Sequence, residues 1–78
     1  MTARQKYYND LREAIRLPIR EIAIHIERAD SSVRGALGLT DTQFYSSETM
    51  DKIFQFIQEK AAAMRDALNR LSNGEVNS

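Results

Sequence analysis

REIAIHIERADSSVRGAL, residues 20–37, is the stretch on which the fold turns. Ile22, Ala23 and Ile26 recur at spacings of one, three and four, which puts them on one face of a helix. The polar run ERADSS, Glu27 to Ser32, interrupts that pattern, and Val33, Ala36 and Leu37 resume it. Two short helices joined by a tight polar turn are therefore predicted. Pro18 has the fixed φ and missing N–H suited to a first helical position, so the preceding helix should break after Arg16 or Leu17 and the next restart at Pro18. Ile19 joins Ile22, Ala23 and Ile26 on its buried side. Asp30 or Ser31 can accept a hydrogen bond from the free N–H groups of the third helix, and Gly38 ends that helix.

Outward from this unit the helical period continues in both directions. On the N-terminal side, Thr2 with Gln5 three residues later has the form of a capping box, and Tyr7, Tyr8, Leu11, Ala14 and Ile15 follow at helical spacing. At least one of the two tyrosines belongs to the core, with its hydroxyl reaching solvent. On the C-terminal side GLTDTQFYSS, residues 38–47, reads as a loop whose Phe44 and Tyr45 tuck back onto the core. Ser46 or Ser47 caps a long last helix, predicted over 47–71, with Glu48/Lys52 and Asp66/Arg70 as i, i+4 pairs. Asn73-Gly74 is its stop, and 74–78 is a frayed tail. Met50, Phe54, Ile57, Ala61, Met64, Leu68 and Leu71 alternate at four and three, the spacing of a heptad seam, and Ile53 and Phe56 widen the stripe near its start. The wider first half suits packing within the monomer. The narrower second half makes Ile57, Ala61, Met64, Leu68 and Leu71 the candidate dimer interface, or else folds back within the monomer.

The expected fold class is all-α: a single domain over 1–73 of four helices, or five, with a long C-terminal helix. A core built from 78 residues is small, and chains of that size bury only about 60% of the surface the unfolded chain exposes. With no cysteine there is no disulfide and no cysteine-containing zinc site, and His25 alone cannot assemble a metal centre. Oligomerisation is the remaining device, so a homodimer is expected. No apolar run reaches the ~18 to 20 residues of a membrane span, and MTARQKYYND has no signal-peptide core, which points to a cytoplasmic protein without membrane partners. The eleven Lys and Arg balance the eleven Asp and Glu, which argues against coating nucleic acid by bulk charge. Residues 1–37 nevertheless carry seven cations against five carboxylates, and six of the seven are Arg.

With Ile22-Ala23, Ile26, Ser31-Ser32, Val33, Arg34 and Ala36-Leu37 in these places, residues 18–37 resemble the helix-turn-helix unit of bacterial transcriptional regulators. The whole chain resembles the compact Cro and phage-repressor class over roughly residues 3–60. The resemblance implies a homodimer that binds a double-stranded DNA operator, an inverted repeat, and represses transcription by excluding polymerase. The small, self-contained chain suits a phage, plasmid or other mobile element. In this family two helices cross at about 90 to 120°, so the crossing point takes a small residue, here Ala23, and a β-branched one, here Val33, braces the second helix. The outer face of the third helix then reads the major groove. Asp30, Ser31, Ser32, Arg34 and Gly35 are the candidate base contacts, with Arg34 able to donate a bidentate pair to guanine. Arg20 and Arg28, near the helix ends, are candidate phosphate contacts. The family turn commonly carries Gly followed by an apolar residue. Glu27 and Arg28 stand there instead, so the turn must form without a glycine at positive φ.

No Ser-His-Asp order, Gly-rich phosphate loop or metal-ligand cluster is present, so an enzyme is not expected. His25 sits beside the apolar stripe of the second helix as a solvent-edge or phosphate-neighbouring residue. No cofactor and no small-molecule ligand are expected, since no second domain closes a pocket. A tri-helical core of this spacing also occurs without DNA, because helix crossing alone demands the Ala and Val positions. The alternative is therefore a small helical protein-interaction module, such as a phage-encoded inhibitor, that holds a host protein with the seam of its last helix.

Overall fold

The computed structural model describes residues 1–41 and 46–77, with side chains as far as Ser72. The loop residues Phe44 and Tyr45 and the expected frayed end at Ser78 lie outside the described residues. The architecture is all-helical: α1 (Ala3–Ala14), α2 (Ile19–Ile26), α3 (Asp30–Ala36) and α4 (Ser47–Asn77). Among the described residues there is no strand, and no helix is long and apolar enough to cross a membrane.

Each helix start follows from local chemistry. Thr2 Oγ1 accepts from the Gln5 backbone N–H at 3.1 Å and the Thr2 N–H donates to Gln5 Oε1 at 2.8 Å, completing the capping box. Ser46 Oγ accepts from the Thr49 N–H at 3.1 Å and so caps α4. Two starts differ by a residue from the sequence reading. Pro18, extended at ψ 149°, is the N-cap of α2 rather than its first helical residue. Ala29 caps α3 with no side-chain hydrogen bond, so neither Asp30 nor Ser31 serves as the cap; Asp30 lies inside the first turn, where its charge suits the helix dipole.

The first three helices end in one repeated device. Leu17, Arg28 and Leu39 each donate a backbone N–H five residues back, to Arg12, Ala23 and Arg34, while Arg16, Glu27 and Gly38 donate three residues back. These paired bonds define a Schellman turn, whose penultimate residue must enter the left-handed region. Arg16 stands at φ 56°, Glu27 at 57° and Gly38 at 76°. The α2–α3 turn thus keeps a left-handed residue and places it on Glu27 without a glycine. The break after α1 arrives at Ala14, ahead of Arg16 or Leu17, because the Schellman turn occupies Ile15 to Leu17.

Packing gathers α1, α2 and α3 onto the first half of α4. Leu17, Ile22, Ala23, Val33, Ala36, Leu37, Ile53, Phe54, Phe56 and Ile57 form one buried cluster, with Tyr8, Leu11, Ile15, Ile19, Ile26 and Met50 against it. Tyr8 stacks on Phe54 with centroids 4.3 Å apart, while Tyr7 is largely exposed. Ion pairs Arg4–Asp51 and Lys60–Glu21, each at 3.5 Å, join α1 and α2 respectively to α4. The Glu48/Lys52 pair forms at 3.4 Å, whereas Asp66 and Arg70 make no ion pair among the described residues. The helix also runs through Asn73-Gly74 to Asn77, past its expected stop.

Two polar side chains of α1 are buried where the apolar pattern alone would put nothing. Gln5 Nε2 donates to the Ala36 carbonyl at 3.1 Å, giving an orphan C-terminal carbonyl of α3 a partner. Asn9 Oδ1 accepts from Arg12 Nε and Nη2 at 3.0 Å, and Arg12 Nη1 reaches the Leu17 carbonyl at 2.9 Å. These bonds tie α1 to the end of α3 and to the turn that leads into α2.

Candidate functional site

Burial divides α2 and α3 into a core side and an outer side. Ile22, Ala23, Val33, Ala36 and Leu37 are sealed in. On the outer side Arg20, Arg28, Ser31 and Arg34 are exposed, and Asp30 and Ser32 are half-buried. Ser31 and Arg34, three apart on α3, share a face, as do Asp30 and Arg34, four apart. Arg20 and Ile24 share one on α2, and Ile24 is 70% exposed.

Gly35 does not belong with them. It is buried and so is withdrawn as a base contact. Around the helix Gly35 stands about 160° from Val33, so its burial follows from its lacking a side chain and from the packing of neighbouring elements on α3, not from a place on the apolar stripe.

The charges sort by location. Arg4, Lys6, Arg12, Lys52 and Lys60 each have an acidic partner within 3.6 Å. Among the described residues Arg16, Arg20, Arg28, Arg34, Arg65 and Arg70 form no ion pair and all six are exposed; the first four lie between the end of α1 and α3, the last two on α4. The carboxylates of this region that likewise have no ion pair are Glu27 and Asp30, because Glu21 is engaged by Lys60. The segment from Arg16 to Arg34 therefore carries free positive charge in excess. Arg16 was not singled out by its sequence position; its exposure follows from its place at the left-handed residue of a turn.

His25 lies over Phe56 with ring centroids 4.0 Å apart and planes 19° from parallel, and Lys60 Nζ stands 5.4 Å from the same ring. Beside them runs an open groove of about 360 Å3 lined by His25, Ile26, Glu27, Lys52, Gln55, Phe56 and Glu59. Among the described residues no three His, Cys, Asp or Glu side chains converge for a metal ion.

On α4 the expected seam splits. Ile57 is fully buried against the other helices and belongs to the monomer core, so it is withdrawn from the dimer interface. Ala61 is half-buried, and Met64, Leu68 and Leu71 are 44%, 59% and 66% exposed. Comparison with protein-family models, with curated proteins and with solved structures finds no match for this chain.

Proposed function

We propose that the chain binds double-stranded DNA sequence-specifically as a homodimer and regulates transcription as a repressor, with α2 and α3 as a helix-turn-helix unit. The observation that carries this reading is four exposed arginines without ion pairs, Arg20 on α2, Arg34 on α3, and Arg16 and Arg28 in the turns that precede them, around two short helices whose buried side is wholly apolar. Guanidinium groups without carboxylate partners remain available to phosphate and to guanine, whereas paired ones must first be released. In this reading Arg34, Ser31 and Ser32 face base edges, Asp30 accepts from cytosine N4, and Arg20 and Arg28 hold phosphates. Arg16, at the turn before α2, adds a third phosphate contact. Ile24, between Arg20 and the turn, lies against sugar or a thymine methyl.

Selection of bound duplexes from a random library at moderate salt tests the proposal. Enrichment of an inverted repeat, with half-sites about 10 bp apart centre to centre, supports a dimeric operator binder. Recovery of no preferred sequence, with only weak salt-sensitive binding, sinks it and leaves the protein-interaction module.

A further inference from the structure

Every described side chain from Ala63 to Ser72 is exposed, although α4 continues to Asn77. The reason lies in the lengths of its neighbours. α1 runs alongside α4 in the same direction, from Arg4 beside Asp51 to Ile15 beside the groove that Met64, Arg65 and Leu68 line. α2 runs against it, from Glu21 at Lys60 to His25 at Phe56. Both are used up before α4 ends, so the helix from Ala63 to Ser72 projects into solvent, and the molecule measures 51 × 25 × 18 Å. A helix of that length is marginal in water without a packed face, and this one carries Met64, Leu68 and Leu71 on a single stripe.

Next to the projection lies a groove of about 440 Å3, walled by Tyr7, Leu11 and Ile15 on one side and by Ala61, Ala62 and Leu68 on the other. We infer that this groove is the seat for α4 of a second copy of the chain, running antiparallel. The inference rests on the homodimer part of the proposed function, removes Ile57 from the interface and adds Tyr7, Leu11 and Ile15 to it. Three observations select a second copy as the occupant.

The first is shape. The small residues Ala61 and Ala62 and the large Leu71 stand on the same helix about ten residues apart. A two-fold axis near residue 66 lays the partner's Leu71 over Ala61 and the partner's Leu68 against Met64, and repeats both contacts in reverse. A parallel pairing instead sets Ala61 on Ala61, leaving a void, and brings Lys60 of each copy toward Arg65 of the other. The antiparallel one leaves a single approach of the two Arg65 side chains at the axis, with an Asp66 beside each. The second is charge. Arg70, which has no ion pair among the described residues, is carried toward the end of α1 that bears Asp10 and Glu13, whose exposed pairs with Lys6 and Arg12 each leave a second carboxylate oxygen for another cation. The third is extent. Tyr7, Met64, Leu68 and Leu71 expose on the order of 400 Å2 of side chain, in the range of the largest patch on a monomer. Leu11, Ile15, Ala61, Ala62 and the helix rims raise this toward the ~800 Å2 per copy of a stable interface.

The test uses the intact chain without DNA. Sedimentation equilibrium should find a dimer at micromolar concentration, and Leu68→Glu, at an exposed position, should weaken it by at least about 100-fold while keeping the helical circular dichroism. Since the native chain has no cysteine, oxidation of mixed Ala61→Cys and Leu71→Cys variants should give the mixed disulfide, with Leu71→Cys alone giving none. A native chain still monomeric at about 100 micromolar, or efficient cross-linking of Leu71→Cys to itself, overturns the inference. Dimerisation in this arrangement with no enriched DNA sequence would overturn the DNA reading and leave the interface standing.

Discussion

Arg34 and Glu27 show how differently two charged residues of one short segment behave. Arg34 is exposed on α3 and makes no ion pair among the described residues, so its truncation removes nothing that the fold uses. Arg34→Ala should abolish sequence-specific binding, at a cost of about 1–3 kcal/mol per lost bidentate contact, and leave the thermal midpoint within a degree or two. Full-affinity binding of this variant, measured by fluorescence anisotropy, would remove α3 from the reading role. Glu27 is held at φ 57°, a region that costs a side chain of this kind about 1 kcal/mol. Glu27→Gly should therefore raise stability by about 0.5–1 kcal/mol in urea unfolding, because the turn no longer strains a Cβ. Gly38 is the opposite case. It already has no Cβ, and one built there would stand 3.0 Å from Gln5 Oε1 and 3.2 Å from Met1 Cγ, at a φ of 76°.

At the scale of elements, α1 is anchored by polar bonds as much as by its apolar face. Gln5 serves the Thr2 cap and the last turn of α3 at once, so one side chain links the start of α1 to the end of α3. Gln5→Leu should cost about 1–3 kcal/mol, since it strands the buried Ala36 carbonyl and opens the capping box. Urea denaturation with an unchanged midpoint would contradict this account. α2 and α3 have eight and seven residues and cannot persist alone. Their shared buried face, with Ala23, Val33 and Ala36 at or near zero exposure, is what keeps the arginines in a fixed arrangement.

At the scale of the whole molecule, the two proposed surfaces lie on different parts of the chain, the arginines on α2–α3 and the seam on the projecting half of α4. DNA affinity should then depend on self-association only through avidity. Raising salt from 50 to 200 mM should weaken binding steeply, and Arg28→Ala should reduce the slope of log K against log salt by about one without altering the preferred sequence. Amides from Ala63 onward should be protected from hydrogen exchange in the dimer and exchange quickly when the chain is diluted below its dissociation constant. Equal protection at both concentrations would mean that the projection is stabilised by something other than a second copy.

The four helices, the starts of α1 and α4 and most of the buried residues were legible in the sequence, because each rests on interactions between residues three or four apart; the starts of α2 and α3 fell a residue away. The Thr2 and Ser46 caps, the inward sets Ile22-Ala23 and Val33-Ala36-Leu37, and the Glu48–Lys52 pair are of this kind. What tertiary structure decided depends on where other elements end. Ile57 fits a heptad seam as well as its neighbours do, and only the reach of α1 and α2 along α4 puts it in the core while Leu68 stays exposed. Gln5 and Asn9 are polar by type and buried only because the end of α3 and the α1–α2 turn fold back over them. Gly35 is buried for a similar reason, since α2 and α4 pack on α3 and it lies off the stripe of Val33, Ala36 and Leu37. Local periodicity specifies which side of a helix is apolar, but the length over which that side is covered is a property of its neighbours.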